Sequence, residues 1–379
     1  MLLELTDDQE FFRDNTAKFL REQVPPAELR RLRGESRGFG VDYWRRGAEL
    51  GWTSLLAPED QGGGIIGDSG LEDLSLIAHE FGRHAAPGPL IPTNVVIAML
   101  SRNPVDTRAG LLQSLIAGTS TAAWCVSEPN PKSTAAAPAV SVEVDGSEVI
   151  VQGTKRPVEA VGTAESLLVT GRTGAGVSQV LVPRDADGVQ VRALTSIDVT
   201  RRYGVVEFDQ VRLPASALVG VAGQAHEDVE HGRNIAIVTG CAESVGALQA
   251  AFEMTLAWAF DRYSFGRPLA SYQELKHRFA DMKAWLEASH AITDKATAAV
   301  AADSADAAEL VSAAKAYVGG HGGELMQDCV QIFGGIGVTF EHDLHLFARR
   351  AAANRSNFGT PAEHRQQLAD IVERQEVSA

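Results

Sequence analysis

The hydrophobic period of this chain changes twice, and each change limits what its 379 residues can fold into. Up to about residue 118 apolar side chains recur at helical spacing, as Phe11, Phe12, Phe19 and Leu20 do. Leu5-Thr6-Asp7-Asp8-Gln9 predicts a helix start, with Thr6 as cap and Asp7 and Asp8 at the positive end. Further helices are expected over 43–50, 72–85 and 93–117, with Gly51 and Gly118 as stops. From 119 to about 222 the texture becomes short strand-like runs at 122–126, 140–144, 148–151, 166–170, 179–182, 189–191 and 205–211. Asp145-Gly146 between two of these runs is a strong hairpin signal. After about 227 the helical period returns, predicting helices over 234–261, 271–301, 305–331 and 341–354, the first ~40 Å long at 1.5 Å per residue. A chain beyond ~250–300 residues usually splits its core. The expectation is therefore an α+β multidomain protein: a helical domain over 1–118, a β-sandwich or barrel over 119–226, and a helical bundle over 227–379.

Composition narrows the function classes. An apolar content of 45% fits a globular rather than a disordered chain, and a formal charge of −15 argues against nucleic acid or an anionic membrane as partner. Cys125, Cys241 and Cys329 show no CxxC spacing and are expected as buried thiols in a reducing compartment. Met1-Leu2-Leu3-Glu4-Leu5 lacks a basic leader, and no run approaches ~18 apolar residues, so a cytoplasmic location is expected. Several tempting features carry little. The Gly62-Gly63-Gly64 run has no following Lys-Ser/Thr and reads as a loop. His342 and His345, with Glu341 and Asp343, read as helix-end charges beside Arg349-Arg350, so no metal site is expected. Lys276-His277 reads as part of a bundle interface, and Ser127 lacks a nucleophile elbow.

The stretch over 261–282 is more specific. Phe265-Gly266-Arg267-Pro268 interrupts two helices, and Arg262 stands one turn before the break, able to offer its planar fork to a phosphate. Arg262, Phe265, Gly266, Pro268, Leu269, Gln273, Lys276-His277 and Asp281-Met282 together form a pattern that closely resembles the acyl-CoA dehydrogenase family. A second match runs from Gln331 through Gly334 and Gly335 to Thr339, and on through Glu341 to His345 and Arg349-Arg350. The resemblance spans essentially the whole chain. It implies the three-part acyl-CoA dehydrogenase fold with a C-terminal four-helix bundle, FAD shared at a subunit interface, an acyl-CoA substrate, and an electron-transfer flavoprotein as acceptor. It also implies that Arg262, Phe265, Gln273, Gln331, Gly334 and Gly335 contact a neighbouring chain's FAD.

The reaction that the resemblance implies needs a carboxylate within reach of the substrate α-carbon. Two family positions supply one. The first, in the loop before the last helix, is occupied by Phe358 in Asn357-Phe358-Gly359-Thr360. The second falls on Ala236; no Asp or Glu stands between His231 and Ala242, and Glu243 lies roughly 10 Å further along that helix by the helix rise. The β segment departs as well. After Ser127-Glu128-Pro129 comes Asn130-Pro131-Lys132-Ser133-Thr134, where the family has a glycine, a serine and an aspartate. Pro157-Val158-Glu159 stands where the family has a Trp-Ile-Thr/Ser flavin wall. No catalytic residue is therefore assigned. The expected role resembles that of the non-catalytic subunit of heterotetrameric (α2β2) acyl-CoA dehydrogenases of actinobacterial steroid degradation, donating FAD contacts to a homologous catalytic subunit. Two alternatives stay open: a self-sufficient homotetramer using a non-standard base such as Glu243, and a flavin-free scaffold.

Overall fold

A computed structural model of the protein describes residues 5–130 and 134–378. What the sequence suggests for residues 1–4 and for Pro131-Lys132-Ser133 lies outside the described residues. The N-terminal helices are α1 (Asp7–Gln23), α2 (Pro26–Leu32), α3 (Val41–Glu49), α4 (Gly70–Arg83), α5 (Leu90–Arg102) and α6 (Asp106–Ile116). Thr6 caps α1 through a reciprocal box, its hydroxyl accepting from the Gln9 N–H at 3.2 Å while the Gln9 side chain accepts from the Thr6 N–H. The single helix expected over 93–117 is two, because Pro104 has no N–H to continue the ladder and the chain turns there. Conversely, Pro92 sits in the first turn of α5, where the missing donor costs nothing.

Eight strands follow among the described residues: β1 (Ala122–Cys125), β2 (Ser141–Asp145), β3 (Glu148–Glu159), β4 (Ser166–Thr173), β5 (Gly176–Pro183), β6 (Val189–Leu194), β7 (Tyr203–Pro214) and β8 (Leu218–Val219). They form one mixed sheet in the order β6-β7-β3-β2-β4-β5-β8, with β1 parallel to β4. Asp145 pairs with Glu148, so Gly146-Ser147 is a two-residue turn and Gly146 takes φ 58°. Alternation along the strands sends Val142, Val151, Val169, Val180 and Phe208 into a core of the sheet's own. The opposite side chains Trp124, Leu168 and Val177 join the helical core, which is how the sheet is tied to the rest of the molecule.

The C-terminal helices are α7 (His226–Asp261), α8 (Gln273–Ala301), α9 (Ala307–Phe333), α10 (Leu344–Ser356) and α11 (Pro361–Ser378). α7 starts eight residues before the apolar period does, since its first turns are charged and partly exposed. It is long and apolar enough to cross a membrane, but most of it is buried against α4, α5, α8, α9 and α10. Its crossing with α4 is backbone on backbone. A Cβ on Gly82 would lie 1.9 Å from the Glu243 carbonyl oxygen, and one on Gly246 would lie 1.9 Å from that of His79. That close approach fixes the height of Glu243 relative to the loop after α4.

Candidate functional site

Two of the departures scattered through the sequence, Pro157-Val158-Glu159 and Phe358, meet at one place. A cavity of about 90 Å³ at the junction of sheet and helices is lined by Trp124, Ser127, Pro157, Glu159, Tyr203 and Phe358, among others. Phe358 lies stacked on Trp124, ring centroids 5.9 Å apart and planes 27° from parallel. Phe358 takes φ 58°, a left-handed conformation that costs a bulky residue of order 1–3 kcal/mol and needs outside support. Support comes from several directions. His364 Nε2 donates to the Phe358 carbonyl at 3.1 Å and Arg233 does so at 3.3 Å. The buried Lys315 ammonium donates to the carbonyls of Asn354 and Asn357, and Asn357 Nδ2 donates to the Tyr203 hydroxyl at 3.0 Å. Burial pushes the Lys315 amine down to about 8 and the His364 ring down to about 4.

Behind the cavity lies a buried ion network. Arg201 grips both Glu243 oxygens at 2.5 Å through one nitrogen, while Arg350 donates to Glu243 at 2.6 Å and Asn354 Nδ2 does so at 2.7 Å. Arg350 also donates to Asp198 at 2.5 Å, to Thr200 Oγ1 at 2.5 Å and to the Ala86 carbonyl at 2.9 Å. Residues from the loop after α4, the segment before β7, α7 and α10 are thereby held at one point. Glu243 is 0% exposed and does not line the cavity. Burial pushes the Asp198 carboxyl up, yet the guanidiniums of Arg350 and Arg201 outweigh it and hold the group below its ordinary value. Glu159 sits between network and cavity, 3.4 Å from Arg201. For Glu159 burial wins, and its carboxyl is raised despite Arg201.

Elsewhere the chain offers an open corner. Beyond α7 a miniature hairpin pairs β9 (Tyr263–Ser264) with β10 (Arg267–Pro268) across Phe265-Gly266, with φ 49° and 80°. Positive φ at both turn positions is the primed geometry that suits a tight hairpin, and it presents Phe265 98% exposed. Arg262 is exposed, its guanidinium 5.8 Å from the Trp258 ring, and it has no carboxylate partner among the described residues. Trp258 packs on Phe333 at 5.3 Å, which sets the hairpin beside the turn Gly334–Val338 at the end of α9. Gln331, Gly334 and Gly335 are exposed there, as is Gln273 at the start of α8, 3.0 Å from His277. Arg278 and Asp328, 2.8 Å apart, fasten α8 to α9 beneath them.

His342 does not join His345. Its Nδ1 accepts the Leu344 N–H at 3.2 Å and its ring packs on Phe333, whereas the His345 ring packs on Phe340. No group of three His, Cys, Asp or Glu is placed to hold a metal among the described residues.

Two family models match the chain, the acyl-CoA dehydrogenase N-terminal domain over residues 6–117 and the C-terminal domain over 227–372. The chain belongs to the acyl-CoA dehydrogenase family, flavoprotein oxidoreductases whose cofactor is FAD. It is 25% identical to acyl-CoA dehydrogenase IpdE2 of Mycobacterium tuberculosis, covering 97% of this chain and 98% of that one. With mitochondrial isobutyryl-CoA dehydrogenase of Dictyostelium discoideum it shares 26%, over 94% and 87%. Among solved structures, a variant of the Tcur3481-Tcur3483 steroid ACAD superposes with a TM-score of 0.89 at 24% identity, covering 98% of this chain and 99% of that one. Butyryl-CoA dehydrogenase from Megasphaera elsdenii gives 0.89 at 20%, over 98% and 100%.

The cavity does not fit the cofactor's ring system. Sites for small molecules of that size run to roughly 300–1,000 Å³, against about 90 Å³ here, with Phe358 already stacked on Trp124. The exposed corner carries a guanidinium with no carboxylate partner among the described residues and two open glycines, groups suited to a phosphate and to close backbone approach. Sequence reasoning missed Asp198, Arg201, Lys315, Arg350 and Asn354. None stands in a motif with its partner, and only the Arg349-Arg350 pair drew notice.

Proposed function

We propose that this chain is a non-catalytic subunit of an FAD-dependent acyl-CoA dehydrogenase, binding no flavin in its own cavity and lending contacts to FAD in a homologous catalytic subunit. The observation that carries this reading is the convergence of Pro157, Glu159 and Phe358, residues that depart from the family pattern, on one small cavity. Arg262, Phe265, Gln273, Gln331, Gly334 and Gly335 are the lent contacts, all exposed. Arg262 would face a phosphate of the cofactor, and the Gly334-Gly335 turn would let the backbone approach it. FAD supplies hydride acceptance in the partner's site, and the carboxylate base belongs to the partner as well. The assembly would be an α2β2 heterotetramer in the cytoplasm, passing electrons to an electron-transfer flavoprotein. Likeness to a steroid ACAD favours a CoA thioester of a steroid side chain as substrate, with fatty or branched acyl-CoA next.

The homotetramer reading needs a non-standard base, for which Glu243 is the candidate. Its carboxylate is held by Arg201, Arg350 and Asn354 and does not line the cavity, which favours a structural role. The test is expression of the chain alone and together with its homologous partner. Colourless protein alone and a yellow, active complex are expected; yellow, active protein from this chain alone would overturn the proposal. No flavin in either preparation would leave the scaffold reading.

A further inference from the structure

A second cavity, of about 230 Å³, lies between α7, α9 and α10 and shares no lining residue with the one beside Phe358. Its two ends differ in chemistry. α10 returns antiparallel to α9, with His342 packed on Phe333 at one end and Asn354 bonded to Lys315 at the other. Lys315 and Arg355 therefore share one end of the cavity, Arg355 Nε donating at 2.8 Å to Gly319, one turn along α9 from Lys315. Met326 and Ala348 form the other end, ~10 Å from Gly319 by the helix rise, with Leu248 between. No Asp or Glu is part of the lining. Glu243, which follows the lining residue Cys241 on α7, is already held by Arg201, Arg350 and Asn354.

The charge at the first end has no balance. Lys315 is 6% exposed, and its ammonium donates to the carbonyls of Asn354 and Asn357, which leaves one N–H and no carboxylate partner among the described residues. Arg355 spends its Nε on Gly319, and its terminal nitrogens have no partner among the described residues. Carbonyls satisfy hydrogen bonds but not charge, and a buried ammonium without a counter-ion is destabilising unless an anion joins it. The glycines of the wall are a separate matter. A Cβ on Gly319 would meet Pro361 at 2.7 Å and one on Gly322 would meet Leu248 at 2.9 Å, so both serve helix packing.

We infer that this cavity is a binding site for a short unbranched aliphatic carboxylate, its head at Lys315 and Arg355 and its tail running toward Met326. Two cations and no acid select an anion, and the apolar far end selects a tail over inorganic phosphate. At about 30 Å³ per atom, the share of a water in the liquid, the space holds a guest of about eight non-hydrogen atoms, the size of hexanoate. The inference is independent of where flavin binds.

The test uses hexanoate at neutral pH on the purified full-length chain, labelled with ¹³C at the methyls of its 5 methionines. The Met326 resonance is identified by its loss in Met326→Leu. Hexanoate is expected to shift it saturably, with a dissociation constant on the order of 0.1–1 mM for so small a ligand. Hexylammonium, equal in length and opposite in charge, should bind at least tenfold more weakly. Arg355→Gln should weaken hexanoate at least threefold, and Ala352→Leu, which fills the space but keeps both cations, should abolish the shift. A Met326 resonance unmoved by hexanoate at tenfold above that range overturns the inference. So does hexylammonium binding as tightly as hexanoate, or a shift that Ala352→Leu leaves intact. The two wild-type titrations decide the matter even if a variant fails to fold.

Discussion

Phe265 and Phe358 share a backbone conformation that phenylalanine rarely takes, φ 49° and 58°, in opposite surroundings. Phe358 lies stacked on Trp124, its loop held by Lys315, His364 and Arg233. Phe265 projects from a two-residue turn with 98% of its surface exposed. A left-handed phenylalanine in the interior is retained by the contacts its carbonyl makes. One on the surface, with no contact to reward it, is intelligible when a second molecule covers it. The inner region packs its groups on one another; the outer one leaves Phe265 exposed and Arg262 without a carboxylate partner among the described residues. On the proposed reading, that contrast is what separates a chain that binds a coenzyme from one that helps another chain bind it.

Glu243→Gln should have the largest effect. It keeps the volume but leaves Arg201 and Arg350 facing one carboxylate fewer in a buried site, at a cost of about 3–5 kcal/mol. Denaturant titration should show that loss, while turnover per folded complex stays unchanged. Lost turnover with intact stability would make Glu243 the base and erase the contrast. Arg262→Ala in the complex should weaken FAD retention roughly 10–100-fold, the worth of one charge-assisted phosphate contact. Flavin fluorescence after gel filtration reads this directly, and unchanged retention would mean that the outer corner lends nothing. Phe358→Ala should destabilise by about 2 kcal/mol, below the fully buried range because the residue is half-buried. It should leave FAD per complex unchanged.

The smallest effect at neutral pH concerns His364. Its folded-state affinity for a proton is lowered, from 6.5 to about 4, chiefly by burial, so the unfolded chain binds the proton first. Stability is therefore full above about pH 6.5 and falls as pH drops toward 4. His290, lowered to about 3 by burial, adds to the same acid limb. His364→Gln should flatten part of that limb in melting curves between pH 7 and 4, and no change would show that His364 does not carry it.

Much of the fold was readable because its signals are local. Thr6 and Gln9 make a capping box within four residues, Asp145-Gly146 makes a turn within two, and helical period needs only one turn to declare itself. The break at Pro104 was also in plain sight, and was missed because apolar residues on both sides keep the same period. The site divides along the same line. Pro157, Glu159 and Phe358 could be singled out because each departs from a short pattern. The network around Glu243 could not, because its members lie 42 to 111 residues from Glu243 and are joined only by the close crossing of α4 on α7. Nor could sequence show that Phe358 turns inward onto Trp124, since stacking depends on a left-handed backbone held by Lys315 and His364 from other helices.

Native mass spectrometry of the complex purified with its homologous partner tests the central claim most directly, because it counts cofactors against chains. Two FAD molecules per four chains are expected, each lost when the partner is removed. Four FAD molecules, or one that stays with this chain by itself, would contradict it.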